Sequence, residues 1–193
     1  YRGQDKDGRP FTLRGESALQ KTSAVEVIEL SGLLANFALN GKPAVVSAQR
    51  GAFDMRANTV RVIGPMQFSS DSGYALTAND VLLDMDTKTI SSNGRVDGSD
   101  AKSALSAGSA TGDWKAQTFG LSGGVSGSLP FGTYSAATLN VDLNKEQARL
   151  SGGVSGTTRF GTYRADTVFA DQKSGDVVLQ GNARLRINGN ALR

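Results

Sequence analysis

The 193-residue chain contains neither cysteine nor histidine. Without cysteine there are no disulfides, thiol nucleophiles or thiolate metal sites, and without histidine the most frequent general base and zinc ligand are missing. Aromatic residues amount to only 7% of the chain, with a single tryptophan. The sequence therefore offers few of the side chains from which active sites are built. It predicts a protein that is not an enzyme, binds no metal and uses no cofactor.

An excess of one charge is also missing, because 21 lysines and arginines stand against 18 aspartates and glutamates. The basic residues form no run, whereas nucleic-acid-binding surfaces present a stripe of Lys and Arg, often with stacking aromatics. No apolar run approaches the roughly 18 residues that a membrane-spanning helix needs. We therefore expect no nucleic-acid partner, and we expect any membrane anchor to precede Tyr1.

What the chain has in quantity is glycine, with 24 residues, and an internal repeat. The segments 121–140 (LSGGVSGSLPFGTYSAATLN) and 150–169 (LSGGVSGTTRFGTYRADTVF) agree at thirteen of twenty positions, at a spacing of 29 residues. An apolar-x-Ala step recurs in the same phase at Val46 and Ala48, Leu76 and Ala78, Leu105 and Ala107, Tyr134 and Ala136, and Tyr163 and Ala165. This self-similarity predicts about six copies of a roughly 30-residue unit in one domain spanning residues 1–193.

Within a unit, apolar and polar residues alternate, as Leu76, Ala78, Leu83 and their neighbours show. Strict alternation predicts half-buried strands, and the break in it at Ala-x-x-apolar predicts a bulge or corner. One two-strand unit cannot bury its apolar face, whereas stacked copies bury it between two facing sheets. The sequence predicts an all-β, elongated antiparallel fold, with the least hydrophobic stretches, 99–107 and 120–127, as loops.

The opening segment YRGQDKDGRPFTL resembles the start of the periplasmic part of LptC, the lipopolysaccharide-export protein family. The motif G-x-D-x-x-G-x-P-[FY]-x-[LV] is carried by Gly3, Asp5, Gly8, Pro10, Phe11 and Leu13. The likeness continues through 44–55 (AVVSAQRGAFDM), 60–68 (VRVIGPMQF) and 74–94. The segment 178–187 (VLQGNARLRI) is similar to the G-N-x-x-L close shared by LptC and the related LptA-type proteins.

The resemblance implies an antiparallel β-jellyroll folded into a V-shaped trough, held at the inner membrane by an N-terminal helix and lying in the periplasm. It implies that the protein receives lipopolysaccharide or a related glycolipid from an inner-membrane exporter of the LptBFG type. The lipid would then pass along the trough to an LptA-like bridge protein. The near-duplicate pair of units makes this chain longer and more repetitive than a typical LptC.

The residues that alternate inward are candidates to line the trough. Each also admits a simpler interpretation, plain core packing. Burying each acyl methylene contributes about 0.8 kcal/mol, so several acyl chains need a long apolar groove and not a small pocket. The candidates are Phe11, Leu13, Phe53, Met55, Val60, Val62, Phe68, Leu76, Leu83, Phe131, Leu139, Val141, Leu150 and Phe160.

Two other groups of charged residues invite a function. Asp80, Asp84 and Asp86 lack the spacing and the glycine of a calcium loop, and alternation sends Asp84 and Asp86 to the solvent face of a strand. The arginines are expected on solvated strand faces, where a minority meet glycolipid phosphates. They are Arg61, Arg149, Arg159, Arg164, Arg184 and Arg186.

The C-terminal strand is expected at an open sheet edge, at Ala183, Leu185 and Ile187. Such an edge is either protected, here by Arg184 and Arg186, or used to pair with a neighbouring jellyroll. Two alternatives to the LptC-like interpretation stay open. One is a soluble LptA-like bridge component. The other is a structural β-solenoid whose sealed interior binds no lipid.

Overall fold

The computed structural model describes residues 2–4, 10–20, 26–39 and 41–187, and every helix or strand in these ranges is a β-strand. All strand pairs described below are antiparallel. The predicted all-β antiparallel jellyroll is confirmed. The stretches 99–107 and 120–127, predicted as loops, are largely strand instead, because in-register pairing compensates for their low hydrophobicity. Asp5 and Gly8 of the N-terminal motif lie outside the described residues.

The chain forms two compact units, residues 1–101 and residues 102–193, so the prediction of a single domain stays a prediction. The first unit contains ten described strands. They are β1 (Arg2–Gln4), β2 (Pro10–Arg14), β3 (Ser17–Leu19), β4 (Val27–Leu39), β5 (Lys42–Asp54), β6 (Thr59–Ser70), β7 (Ala75–Asn79), β8 (Val81–Asp84), β9 (Thr89–Ser92) and β10 (Val96–Ser99).

The second unit also contains ten described strands. They are β11 (Ala104–Ala107), β12 (Ser109–Asp113), β13 (Thr118–Ser122), β14 (Val125–Leu129), β15 (Gly132–Ala136), β16 (Thr138–Asp142), β17 (Gln147–Thr158), β18 (Gly161–Asp171), β19 (Asp176–Gln180) and β20 (Arg184–Ile187).

In each unit the strands belong to two ladders, called A and B here, that meet along a corner. In the first unit the long strands β5 and β6 run through both: 50–54 pairs with 59–63 in ladder A, and 44–48 pairs with 66–70 in ladder B. The register shifts between Ala48 and Arg50, where the chain crosses the corner. Next to β6, β8 and β9 continue ladder A, while β7 and β10 continue ladder B.

The second unit repeats this plan. Strands β17 and β18 cross the corner with a register shift between Ser151 and Val154. Ladder A contains β12, β13, β16, β19 and the halves 147–151 and 167–171 of the crossing strands. Ladder B contains β11, β14, β15, β20 and the halves 154–158 and 161–165.

The corner is where the core lies, and small residues form it. The alanines of the repeat all occupy the corner position and are exposed by 9% or less: Ala48, Ala78, Ala107, Ala136 and Ala165. Valines come next to them in the tightest places, with Val81, Val125 and Val154 almost fully buried. Because two ladders approach each other most closely here, larger side chains do not fit. The 29-residue spacing of the sequence is the spacing of these corners.

On the strands that return through the corner, the two near-identical units place paired glycines. Gly123, Gly124, Gly152 and Gly153 all have φ between 76° and 86°, a conformation that side chains with a Cβ rarely adopt. The extra residue re-aims the strand from one ladder into the other. The Ala-x-x-apolar break and the Gly-Gly step are therefore the two sides of one corner.

The hairpins of ladder A close with a recurring turn that alternation did not predict. The last strand residue is an aspartate whose Oδ1 accepts hydrogen bonds of 2.7–3.1 Å from the backbone N–H groups two and three residues on, or from the third alone at Asp142. These residues are Asp54, Asp84, Asp113, Asp142 and Asp171. Such Asx-type bonds satisfy the turn backbone locally.

This geometry corrects the prediction for Asp84 and Asp86. Asp84 ends β8 and accepts from the N–H groups of Asp86 and Thr87, and Asp86 lies within the turn, not on a strand. Asp86 accepts in turn from the Asn58 amide of the neighbouring turn at 2.6 Å. Within the described residues no three His, Cys, Asp or Glu side chains are grouped to hold a metal ion.

The corner predicts a size limit. Replacing Ala136 by leucine should destabilise the fold by about 1–3 kcal/mol, because the added methylenes have no space between the ladders. The matched control is Ala116→Leu, at an exposed turn position of the same unit. Urea unfolding followed by circular dichroism measures both. Equal loss in the two variants would contradict a tightly packed corner.

The turns predict a pH dependence. The pKa of Asp84 is lowered chiefly by the Thr87 backbone N–H, that of Asp142 by Lys145 and that of Asp171 by Gln147. Since their folded pKa values lie below the unfolded value of about 3.9, the stability they add is present above that pH. It is lost as the pH falls through the folded values.

The measurement is the urea midpoint from neutral pH down to about pH 2. The variant Asp84→Asn, Asp142→Asn, Asp171→Asn should show a shallower acid decline than the wild type. A decline of the same slope in both proteins would show that these carboxylates do not contribute.

Candidate functional site: the apolar inner faces

Directly paired residues of neighbouring strands share a face, so the register defines apolar rows across each ladder. In ladder A of the first unit, one row beyond the corner runs through five strands in register. Its members are Ile28, Phe53, Val60, Leu83 and Ile90. All five are half-buried. The sheet thus presents a band of large apolar side chains on the inner face, the face that continues from the buried corner.

Ladder B of the first unit has a corresponding row. Ala35, Val46, Phe68 and Leu76 are paired in register, with Leu13 at its end. The Phe68 ring stacks on Phe37, with centroids 6.3 Å apart and an interplanar angle of 27°. Offset stacking of this kind stabilises the pair beyond the area it buries.

In the second unit, the inner row of ladder A is aliphatic and continues through the near-duplicate segments. It consists of Ala110, Leu121, Leu139, Leu150, Val168 and Leu179. The next row outward contains Phe119 and Val141, followed by the small residues Ala148 and Ala170. A wide apolar row therefore narrows to small side chains away from the corner.

Ladder B of the second unit alternates glycine and tyrosine in the corresponding row. Gly127 is paired with Tyr134, and Gly156 with Tyr163. A Cβ on Gly127 would lie 2.4–2.6 Å from Tyr134 ring atoms, so each ring lies over the glycine opposite. Burial raises the pKa of both tyrosine hydroxyls. Tyr163 keeps a hydrogen bond from its hydroxyl to the Thr133 carbonyl at 3.4 Å.

The opposite, outer faces are polar. Cross-strand pairs of hydroxyl groups lie 2.7–2.9 Å apart, as in Ser109 with Ser122, Thr133 with Thr157 and Ser135 with Ser155. The two faces of each ladder therefore differ in chemistry, and only the inner one offers a continuous apolar surface.

The predicted lining residues fall into three groups. Most lie in the inner rows of a ladder: Leu13, Phe53, Val60, Phe68, Leu76, Leu83, Leu139, Val141 and Leu150. Val62 is buried at the corner. Met55, Phe131 and Phe160 lie in turns and are exposed. Phe11 belongs to β2, and its side chain lies outside what the structure describes.

The sequence reasoning missed Ile28, Phe37 and Ile90 as members of the inner rows, and it used Tyr134 and Tyr163 only as markers of the repeat. The tyrosines had a usable signal, because each follows a glycine by seven residues across a short hairpin. Closing that hairpin places the ring on the glycine. No such local signal marks Ile28 or Phe37, whose row is defined by pairing with distant strands.

Two cavities lie at corners and not along the inner rows. One, of about 480 Å³, is lined by residues that include Gly32, Ala48 and Gln49 in the first unit. The other, of about 440 Å³, lies between Ser155, Arg164, Asp166, Asn182 and Arg184 in the second unit. Neither contains a predicted lining residue, so the inner rows are extended surfaces and not enclosed pockets.

Comparison with known proteins gives a match in structure only. No family model matches the sequence, and no curated protein matches it. The chain is similar in structure to LptH from Pseudomonas aeruginosa, the LptA-homologous periplasmic component of the lipopolysaccharide transport device, with a TM-score of 0.52 and 11% identity. The match covers 60% of this chain and 94% of that one, which is the length of about four 29-residue units. At this identity the likeness establishes the jellyroll fold.

No helix in the described residues is long and apolar enough to cross a bilayer. The site thus consists of apolar strand faces, polar outer faces and exposed turns. The chemistry such faces support is the burial of apolar ligand surface, which is non-directional and scales with area.

The glycine–tyrosine row predicts coupling between its members. Gly127→Ala should destabilise the fold because the new methyl displaces the Tyr134 ring, whereas Ser128→Ala on the same strand should be nearly neutral. Adding Tyr134→Ala to Gly127→Ala should cost less than the sum of the two single changes, with a coupling of about 0.5–3 kcal/mol. Urea unfolding measures the cycle, and strict additivity would contradict the contact.

Proposed function

We propose that this chain is a lipopolysaccharide-transport jellyroll that carries a glycolipid by its acyl chains. The proposal rests chiefly on the apolar inner rows, which run in register through successive strands in each unit. Acyl chains need length: at about 0.8 kcal/mol for each buried methylene, a row crossing five strands offers far more than a small pocket. The name of the structural neighbour, a component of the lipopolysaccharide transport device, supports the same class of function.

In this proposal the lining consists of Phe53, Val60, Leu83, Phe68 and Leu76 in the first unit, and of Leu139, Val141 and Leu150 in the second. Leu13, Met55, Phe131 and Phe160 lie further out, where an acyl chain enters or leaves. The protein has no chemical step to perform. It receives the glycolipid from an inner-membrane exporter of the LptBFG type and passes it to an LptA-like bridge protein.

The test is photo-crosslinking in cells from single positions on β6. A photoreactive amino acid at Phe68 should label lipopolysaccharide, and so should one at Phe53 on β5. The matched control is Gln67, the neighbour of Phe68 whose side chain points to the outer face and is exposed. Labelling at Phe68 and Phe53 but not Gln67 is the expected result. No glycolipid adduct at any inner position would leave the sealed β-solenoid as the better account.

The finer assignment is to an LptC-like protein, held at the inner membrane by a segment that precedes Tyr1. The N-terminal motif favours it, whereas the structural neighbour is LptA-homologous and favours a soluble bridge component. Fractionation of the full-length gene product separates the two. Retention in the inner membrane after an alkaline carbonate wash supports the LptC-like form, and release into the periplasmic fraction supports the LptA-like form.

The edge strand β20 is the proposed docking edge for the bridge protein. It pairs with β18 through Leu185 and Ile187, and both side chains are more than half exposed. Ala183 directly precedes the strand. No second partner strand for β20 is found among the described residues. An unpaired edge of this kind is a template for strand addition.

Proline substitution tests this edge, because proline cannot donate a backbone hydrogen bond. Alternate residues of β20 point their N–H groups to opposite sides, so one of the pairs Leu185→Pro, Ile187→Pro and Arg184→Pro, Arg186→Pro disturbs β18 and the other blocks only the outer edge. The blocking pair should abolish site-specific cross-linking to an LptA-like protein while leaving thermal stability nearly unchanged. Unchanged cross-linking in a folded blocking variant would exclude docking at β20.

A further inference from the structure

Charge is segregated between the two ladders of the second unit. Ladder A, residues 109–122, 138–151 and 167–180, carries five acidic and four basic residues. Ladder B, residues 104–107, 125–136, 154–165 and 184–187, carries four arginines and no aspartate, glutamate or lysine. The arginines are Arg159, Arg164, Arg184 and Arg186. One half of the unit is therefore purely cationic, which the overall net charge of +3 conceals.

Three of these arginines lie together on the outer face of β18 and β20. Arg164 is paired directly with Arg184, and Arg186 is paired with Thr162 beside them. Like charges directly opposite in a sheet are destabilising. Among the described residues no carboxylate forms an ion pair with any of the three. The nearest carboxylate along the chain, that of Asp166 at the corner, accepts instead from Asn182 at 3.0 and 3.3 Å.

Apolar side chains occupy the free end of the same ladder. Phe131 and Phe160 lie in the turns that close consecutive hairpins and are 61% and 49% exposed. The two turns are joined by a backbone hydrogen bond from Arg159 N–H to the Phe131 carbonyl, 3.3 Å long. The Arg159 guanidinium lies 4.5 Å from the centre of the Phe160 ring. Leu129 and Ile187 are exposed nearby on the paired strands.

We propose that this end of ladder B, the basic tip, binds the surface of an anionic phospholipid bilayer. Phenylalanine, leucine and isoleucine at a loop tip favour the boundary between headgroups and acyl chains, and arginines nearby favour the lipid phosphates. A nucleic acid would engage the arginines, but Leu129 and Ile187 would gain nothing from it. A bilayer uses both features. The contact goes beyond cargo binding, since the arginines are on the face opposite the apolar rows.

Such a contact would hold the second unit against a membrane by its hairpin turns while the inner face stays available. It does not depend on the proposed transport function, because the basic tip is defined by charge and exposure alone. The ladder A turns serve as an internal comparison. They also expose apolar side chains, Trp114 and Leu143, but each turn begins with an aspartate.

The first experiment is vesicle flotation of the purified chain, with vesicles of phosphatidylcholine alone and of phosphatidylcholine mixed with phosphatidylglycerol. The wild type should float only with the anionic vesicles. Arg164→Gln, Arg184→Gln, Arg186→Gln should weaken binding about a hundredfold, since each arginine near the surface contributes about a factor of five. Phe131→Ser, Phe160→Ser should weaken it about tenfold or more.

The matched control removes the same charge from ladder A: Lys115→Gln, Lys145→Gln, Lys173→Gln. Its binding should stay within a few fold of the wild type, because charges beyond about 10 Å are screened at moderate salt. Circular dichroism establishes that every variant is folded. Equal weakening by both triple variants would mean that only net charge matters, and it would overturn the basic tip as a site.

The single tryptophan of the chain allows a second readout. In the variant Trp114→Phe, Phe131→Trp, the fluorophore moves to the basic tip, and its emission should shift to the blue and be quenched by brominated lipids. The wild-type Trp114, in a ladder A turn, should show neither effect. A response from Trp114 with none from position 131 would overturn the proposed orientation.

Competition separates the other anions. Inorganic phosphate that raises the melting temperature of the wild type, without any vesicle binding, would identify a small-anion site and overturn the bilayer contact. Binding of a DNA duplex that depends on the arginines but not on Phe131 and Phe160, again without vesicle binding, would also overturn it.

Discussion

The close approach of two ladders along a corner is the constraint on which the rest of the structure depends. Strands such as β5, β6, β17 and β18 run through both ladders, so the chain has to bend there without losing its hydrogen bonds. Only alanine, valine and glycine fit at the bend, and they supply nearly all of the fully buried core. Everything larger is displaced outward, onto strand faces that are half-buried. The composition of the chain, poor in aromatics and rich in glycine, follows from this requirement.

The candidate site is a consequence of the same geometry. Since burial is concentrated at the corner, the next rows outward are apolar but not sealed, and pairing in register makes them continuous across strands. Phe53 and Phe68 belong to different ladders of one unit, yet each lies one row from the corner. No discrete pocket is needed for a ligand that is itself long and apolar. The absence of histidine and cysteine is consistent with binding by surface area and not by a reactive group.

The outward-facing parts of the ladders are specialised in a different way. Ladder A ends in turns whose aspartates satisfy the local backbone, and these turns stack through bonds such as the one from Asn58 to Asp86. Ladder B of the second unit ends in short turns with exposed phenylalanines and is bordered by arginines. One repeat thus produces two unlike rims, because the polar residues of each hairpin are free to differ once the corner positions are satisfied.

The sequence by itself determined the strands, their inward and outward faces and the position of each corner, since alternation and the 29-residue spacing of Ala48, Ala78, Ala107, Ala136 and Ala165 are local properties. It also indicated that no catalytic group is present. Tertiary structure alone decided which residues stand side by side: Ile28 with Phe53, Phe37 with Phe68, and Arg164 with Arg184. It also turned Asp84 from a strand-face residue into a turn cap and brought Phe131 and Phe160 to an exposed rim. Pairing register joins residues that are distant in sequence, and no local pattern encodes it.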